Sequence, residues 1–246
     1  MKFENQVVIV TGASSGIGEG VAKRFLAEGA KVVGCGIEEK MNIQDPNAIY
    51  VQANLTEYAA AEKVVAKAVE AFGKVDKLIC CAGVTFIGSL ESTSPESFSR
   101  EFQINVNGVF HMCKAAVPEL KKQPGAAIVN IASDLGLAPI PERIGYCPSK
   151  AAVIMLTKCI ALEQAPAIRA NCIMPGLVRT PMIEARFTEA PDPEAVEREM
   201  AAIYPMARIG KIEDMTNAIV YLASDDASFV TGEVLGVCGG TTALHI

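Results

Sequence analysis

The segment "VVIVTGASSGIGEG" (7–20) joins an apolar run to a turn with glycines at 12, 16 and 18. "QVVIVTG" (6–12) has the continuous apolar character of a strand covered on both faces, as parallel strands are. After the turn, Val21, Phe25 and Leu26 share one face of a predicted helix. Without side chains at Gly12, Gly16 and Gly18, the backbone can turn tightly and approach an anion closely. The helix N-terminus adds N–H groups and the positive end of a dipole. A glycine turn alone is ordinary punctuation. Set between a strand and a helix, it predicts a loop that cradles the pyrophosphate of a dinucleotide.

Working outward, the same alternation runs to the other end of the chain. "KVVGC" (31–35), "AIYVQ" (48–52), "KLICCAG" (77–83), "AAIVNIAS" (126–133), "IRANCIMPG" (168–176) and "GEVLGVCGG" (232–240) read as further strands. Helical patterns lie between them, one carrying Val64, Val65 and Val69 on a single face. Another opens with Ser94 as N-cap and Pro95 in its first turn. Strands alternating with helices through right-handed crossovers give an α/β fold. It is a doubly wound sheet of about seven parallel strands with helices on both faces. We expect one domain over 1–246. The stretch 181–208, containing "APDPEA", fits no strand–helix step and reads as an insertion or lid.

Composition narrows the function. The chain has 246 residues, half of them hydrophobic, and a formal net charge of −6. No basic run is present, so nucleic acid and anionic membrane are poor partners. The eight cysteines sit in apolar runs without CxxC spacing, which reads as buried, reduced thiols. Only His111 and His245 exist, so no metal site is expected. "MKFENQ" lacks the apolar stretch of a signal peptide, and "AAVIMLTKCIAL" (151–162) is too short to span a bilayer. The expectation is a soluble, cytoplasmic protein.

Several motifs end just past predicted strands, at the sheet edge where open parallel sheets bind ligands. Together they resemble the short-chain dehydrogenase/reductase family. The loop spacing GxxxGxG, "CCAG" (80–83) where the family has NNAG, and "INVNG" (104–108) carry the likeness. So do "IVNIAS" (128–133), "YCPSK" (146–150) as YxxxK, "IRANCIMPGLVRTPM" (168–182) and "TGEVLGVCGG" (231–240). The resemblance implies a Rossmann-type fold and an NAD(P)-dependent enzyme that interconverts a secondary alcohol and a ketone. It implies Tyr146 as general acid/base, Ser133 orienting the substrate oxygen, Lys150 holding the nicotinamide ribose and Asn105 positioning a water. Gly12, Ser14, Ser15, Gly16, Ile17, Gly18, Gly36, Ile37, Glu38, Asn54, Leu55, Ala82, Gly83, Pro175, Gly176, Val178 and Thr180 are the implied cofactor residues, with Tyr146 and Lys150. Members are commonly homotetramers or dimers.

Tyr146 and Lys150, one helical turn apart, share a face. A free tyrosine titrates near ~10, and a nearby ammonium, a helix N-terminus or an oxidised nicotinamide lowers that value. Taken alone, the pair is also what an exposed helix face presents. Cys80 and Cys81 replace two amides beside the cofactor, and altered packing rather than lost activity is expected.

"VVGCGIEEK" (32–40) bears on the choice of cofactor. NAD-using relatives have an acid at the position of Gly36, and NADP-using relatives a base at 37 or 15. Here those residues are Ile37 and Ser15. Lys40 alone would pair with a 2′-phosphate, while Glu38 and Glu39 would repel one by roughly 1 to 4 kcal/mol. Strand alternation points Glu38 to the side of Gly36, and Asn54 is within reach of the adenine. NAD is favoured, and NADP stays open.

The pocket walls are expected from 84–90, 134–145 and 181–208. Val84, Phe86, Leu135, Leu137, Ile140, Met182, Ile183, Phe187 and Met206 are apolar, with Asp134, Glu142, Arg143 and Arg186 as polar anchors. A hydroxysteroid-like substrate leads, then a sugar or polyol, then a 3-oxoacyl thioester. A nucleotide-binding regulator without catalysis is the alternative outside enzymes.

Overall fold

The computed structural model describes residues 1–188 and 190–243. The side chains of Met182, Arg186 and Phe187 lie outside the described residues, as does His245.

Seven parallel strands form one sheet: β1 (Val7–Thr11), β2 (Lys31–Gly36), β3 (Ala48–Gln52), β4 (Lys77–Cys80), β5 (Ala127–Ile131), β6 (Arg169–Pro175) and β7 (Val234–Val237). Their order is β3-β2-β1-β4-β5-β6-β7, so crossovers run both ways from the β1–β4 boundary. Register is set from the centre, with Thr11 beside Cys35 on β2 and beside Cys80 on β4. The strand ends therefore stop together along one edge.

Helices α1 (Gly16–Ala27) and α8 (Ile212–Ala223) cover one face, where Val21, Phe25 and Ile219 pack on Val8, Val10 and Ile173. Helices α2 (Tyr58–Phe72), α4 (Gly108–Leu120) and α5 (Tyr146–Gln164) cover the other with Val64, Met112 and Val153. Both faces are thus apolar, which is why the strands read as unbroken apolar runs. Helix α3 (Pro95–Phe102) starts at Ser94, whose hydroxyl accepts the Ser97 N–H at 3.1 Å. The expected insertion contains α6 (Pro181–Thr188) and α7 (Pro193–Ala202).

All eight cysteines are free thiols, and six are buried. Among the described residues, no helix is long and apolar enough to cross a membrane, and no cluster of metal-ligating side chains occurs.

Candidate active site

The glycine loop crosses its own path. Gly12 and Gly16 take left-handed φ values of 66° and 57°. A Cβ on Gly12 would lie 3.0 Å from the Ala82 backbone, and one on Gly18 would lie 2.1 Å from the Gly12 carbonyl oxygen. Thr11 Oγ1 accepts the Ala82 N–H at 3.0 Å, joining the ends of β1 and β4. Between them opens a cleft of about 640 Å³. Gly12, Ser14, Ser15, Gly16, Ile17 and Gly18 line its floor; Gly36, Ile37, Glu38, Asn54 and Leu55 line one end, and Ala82, Gly83 and Thr180 the other. The cradle that side chains would fill, over a helix N-terminus, fits a dinucleotide.

Pro175, Gly176 and Val178 are not among the residues lining this cleft. Pro175 ends β6, and Val178 is buried and bridges to Gly210. Gly176 makes room for Tyr204: a Cβ there would lie 2.7 Å from the ring. Asn54 accepts the Thr56 hydroxyl at 2.9 Å.

At the end of β2, the Glu38 carboxylate folds back. Its Oε2 accepts the Ser14 hydroxyl at 2.8 Å. Ile37 and Glu39 are exposed beside it.

Tyr146 is the first residue of α5, and Pro148 falls in the first turn. One turn on, the buried Lys150 donates from Nζ to the Ile131 carbonyl at 3.0 Å and stands 5.6 Å from the Tyr146 ring centre. Its ammonium has two further protons to donate. Gly83 keeps the way open, since a Cβ there would crowd both Lys150 Nζ and Asn105 Oδ1.

Asn105 lies in a π turn (Gln103–Asn107) between α3 and α4, a widened geometry that often marks functional sites. Its Oδ1 accepts the Val84 N–H at 2.8 Å, and its Nδ2 donates to the Val84 carbonyl at 2.9 Å and to Ser149 Oγ at 3.0 Å. Ser133 follows β5 and accepts the Leu135 N–H at 3.2 Å.

The electrostatics correct one expectation. Burial pushes the Tyr146 hydroxyl up to about 12, and the Ser133 hydrogen bond opposes this while Asp134, Cys147 and Glu101 reinforce it. Desolvation of the phenolate therefore outweighs any lowering by Lys150 in the protein by itself. Burial also brings Lys150 down to about 8. Cys81, beside the cleft, is held up at about 12 by burial, with Lys150 pulling the other way.

Asp134 is likewise not a free anchor. It is buried, and its carboxylate accepts hydrogen bonds from Ser133 Oγ at 3.1 Å and Thr241 Oγ1 at 2.8 Å. Glu142 is exposed, and Arg143 bonds the Glu142 carbonyl. Sequence reasoning missed Thr241 and the Tyr204 hydroxyl, which accepts the Leu177 N–H at 2.7 Å. It also missed Arg100 and Gln103 on the cleft wall. No periodicity or motif marks any of these.

Compared with known proteins, the family described as "Enoyl-(Acyl carrier protein) reductase" matches residues 12–242. A 3-oxoacyl-[acyl-carrier-protein] reductase of Thermotoga maritima is 36% identical over 98% of this chain and 99% of its own. The chain belongs to the short-chain dehydrogenase/reductase family. Among its relatives in that family, a 3alpha-hydroxysteroid dehydrogenase of Mediterraneibacter gnavus is 36% identical over 97% of this chain and 98% of its own. The ligand-free aldohexose dehydrogenase of Thermoplasma acidophilum superposes with a TM-score of 0.94 at 32% identity, covering 99% and 96% of the two chains. These short-chain dehydrogenase/reductase relatives carry different substrate names, so membership gives an oxidoreductase with a nicotinamide cofactor and leaves the substrate open.

Proposed function

We propose that the chain is an NAD-dependent dehydrogenase/reductase for a secondary alcohol or ketone with a medium-sized apolar frame, hydroxysteroid-like in character. The observation that carries the reading is the convergence of Tyr146, Lys150 and Ser133 at one sheet edge, beside a glycine cradle. The nicotinamide, when bound, gives or takes the hydride. Tyr146 exchanges the proton on the substrate oxygen as general acid/base. Ser133 hydrogen-bonds that oxygen, and Lys150 uses its free protons on the ribose. Asn105 fixes Val84 against α5 and so holds the wall between cofactor and substrate.

NAD is preferred over NADP because the Glu38 carboxylate, held by Ser14 at the glycine loop, would repel a 2′-phosphate brought to the end of β2. An apolar substrate is favoured because the segments expected to wall the pocket expose Ile87, Leu90, Leu137, Ile140 and Met206. The insertion 181–208 is the lid over that pocket within one domain of 1–246. Phe110, Met155 and Leu162 are exposed on α4 and α5, which suits burial in a homotetramer or dimer. Eight free thiols suit the reducing cytoplasm.

The test is absorbance of the reduced nicotinamide with a panel of a 3α-hydroxysteroid, glucose, ribitol and a 3-oxoacyl thioester. Tyr146→Phe should bind NADH with wild-type affinity and lose turnover by about 10²-fold or more. Full turnover in that variant overturns the mechanism.

A further inference from the structure

We propose that Asp134 is a positioning residue for this reaction, holding the Ser133 hydroxyl through a clamp closed by Thr241. The proposal rests on the reading of Ser133 and Tyr146 as the groups on the substrate oxygen. Asp134 directly follows Ser133 in the turn after β5, and only 6% of its surface is exposed. Its Oδ1 accepts from Ser133 Oγ at 3.1 Å and from the Leu135 N–H at 2.9 Å. Its Oδ2 accepts from Thr241 Oγ1 at 2.8 Å, and Thr241 lies in the turn after β7. Two strand ends, 107 residues apart in sequence, thus meet on one carboxylate.

A buried carboxylate is costly unless donors surround it. Here three donors to its two oxygens suit a carboxylate, while burial, the larger effect, raises its carboxyl above the usual range. The consequence falls on Ser133. A serine hydroxyl has one proton and two lone pairs. Here its proton goes to Asp134 and a lone pair shares the Leu135 N–H with Asp134 Oδ1, which fixes Oγ in place; a lone pair is left for a substrate hydroxyl, and the proton can turn from Asp134 to a substrate carbonyl or to the Tyr146 phenolate. The Oγ of a side chain otherwise free to rotate is held in one position.

The same charge bears on Tyr146. Facing that hydroxyl are Ser133 and Asp134 from the β5 turn, Glu101 from α3, and Cys147 and Lys150 from its own helix. Ser133 stabilises the phenolate, whereas Asp134 and Glu101 oppose it. Asp134 therefore trades a harder deprotonation for an ordered serine.

Two substitutions separate these effects, measured with the alcohol of the panel that gives the highest kcat/KM. Asp134→Asn keeps an acceptor for Ser133 and removes the charge. Its acid limb in alcohol oxidation should move to lower pH by about 0.5 to 1 unit. Thr241→Val keeps the charge and opens the clamp. It should lower kcat by about fivefold or more, leave the NADH Kd unchanged, and speed amide exchange at Leu135 in the cofactor-free protein. Thr241→Ser should restore all three. An unmoved acid limb in Asp134→Asn, or wild-type kcat in Thr241→Val, overturns the clamp. If Asp134→Asn does not fold, the Thr241 pair decides alone. Tyr146→Phe run alongside separates the two levels, because its full activity sinks the mechanism itself, whatever Asp134 does.

Discussion

The carboxylate of Glu38 occupies the space that a side chain on Gly36 would fill. A Cβ built on Gly36 would lie 2.8 Å from Glu38 Oε2. A carboxylate from two residues further on reaches back to the end of β2, and the glycine is what admits it.

Glu38→Gln should therefore relax cofactor choice. We expect the NADH-to-NADPH ratio of kcat/KM to fall by about fivefold or more, since a charge against a phosphate is worth roughly 1 kcal/mol or above. Gly36→Asp alone should lower NADH use, because two carboxylates then compete for one space. Gly36→Asp with Glu38→Ala should recover it in part, the Tyr50 hydroxyl lying equally close to the new Cβ at 2.8 Å. An unchanged ratio in Glu38→Gln removes Glu38 from cofactor selection.

Oxidation and reduction should differ in pH dependence. With its hydroxyl pushed up to about 12, Tyr146 is a neutral phenol at neutral pH, the form that the proposed role needs to donate a proton to a ketone. Alcohol oxidation requires it to lose that proton. The log of kcat/KM for oxidation should rise with pH with a slope of about one across the neutral to mildly alkaline range, and reduction should stay level. A level oxidation profile contradicts the assignment of Tyr146 as base.

Stability should peak near mildly alkaline pH. Lys77 and Lys150 are both lowered to about 8 by burial. Between that value and the unfolded lysine value near ~10.4, the unfolded chain binds more protons, so this pair makes stability rise with pH. Burial holds Cys35 and Cys81 at about 12 and Cys172 at about 11, and Cys80, hydrogen-bonded to Cys113, is also raised. Above about 8.5 to 9 the unfolded chain sheds these thiol protons while the folded chain keeps them, and stability falls. Four thiols outweigh two lysines at about 1.4 kcal/mol per pH unit each. Urea unfolding should show a gain from pH 8 towards 9 and a net loss beyond it. A steady gain through pH 10 contradicts the buried thiols.

Gly18→Ala should disable the loop. Its Cβ would meet the Gly12 carbonyl oxygen at 2.1 Å, a backbone atom that cannot swing aside. We expect a stability loss of about 1–3 kcal/mol and NADH affinity reduced by about tenfold or more. Calorimetric titration with NADH reads both the remaining affinity and its heat.

The strands were legible because both sheet faces are covered. Each predicted run contains its observed strand, apart from the one residue by which β2 continues to Gly36. Tyr146 and Lys150 were legible as a one-turn pair, and Ser133 as a strand end. The raised Tyr146 hydroxyl was not, because spacing reports proximity to Lys150 and says nothing of the solvent removed from around the ring. Asp134 was visible as a residue and misread as an anchor, since its partner Thr241 arrives from a separate strand end. Pro175, Gly176 and Val178 also end or follow a strand, but they are not among the residues that line the cleft.

The β1–β4 boundary also divides the labour of adaptation. Glu38 and its neighbours stand on the β1–β2–β3 side, and the exposed apolar residues Ile87, Leu137, Ile140 and Met206 follow β4, β5 and β6 on the other. Where substitutions on the two sides touch no common partner, their free energies should add. A lineage, or an engineer, can exchange the redox currency of such a molecule while keeping its substrate, and can then change the substrate without reopening the first choice.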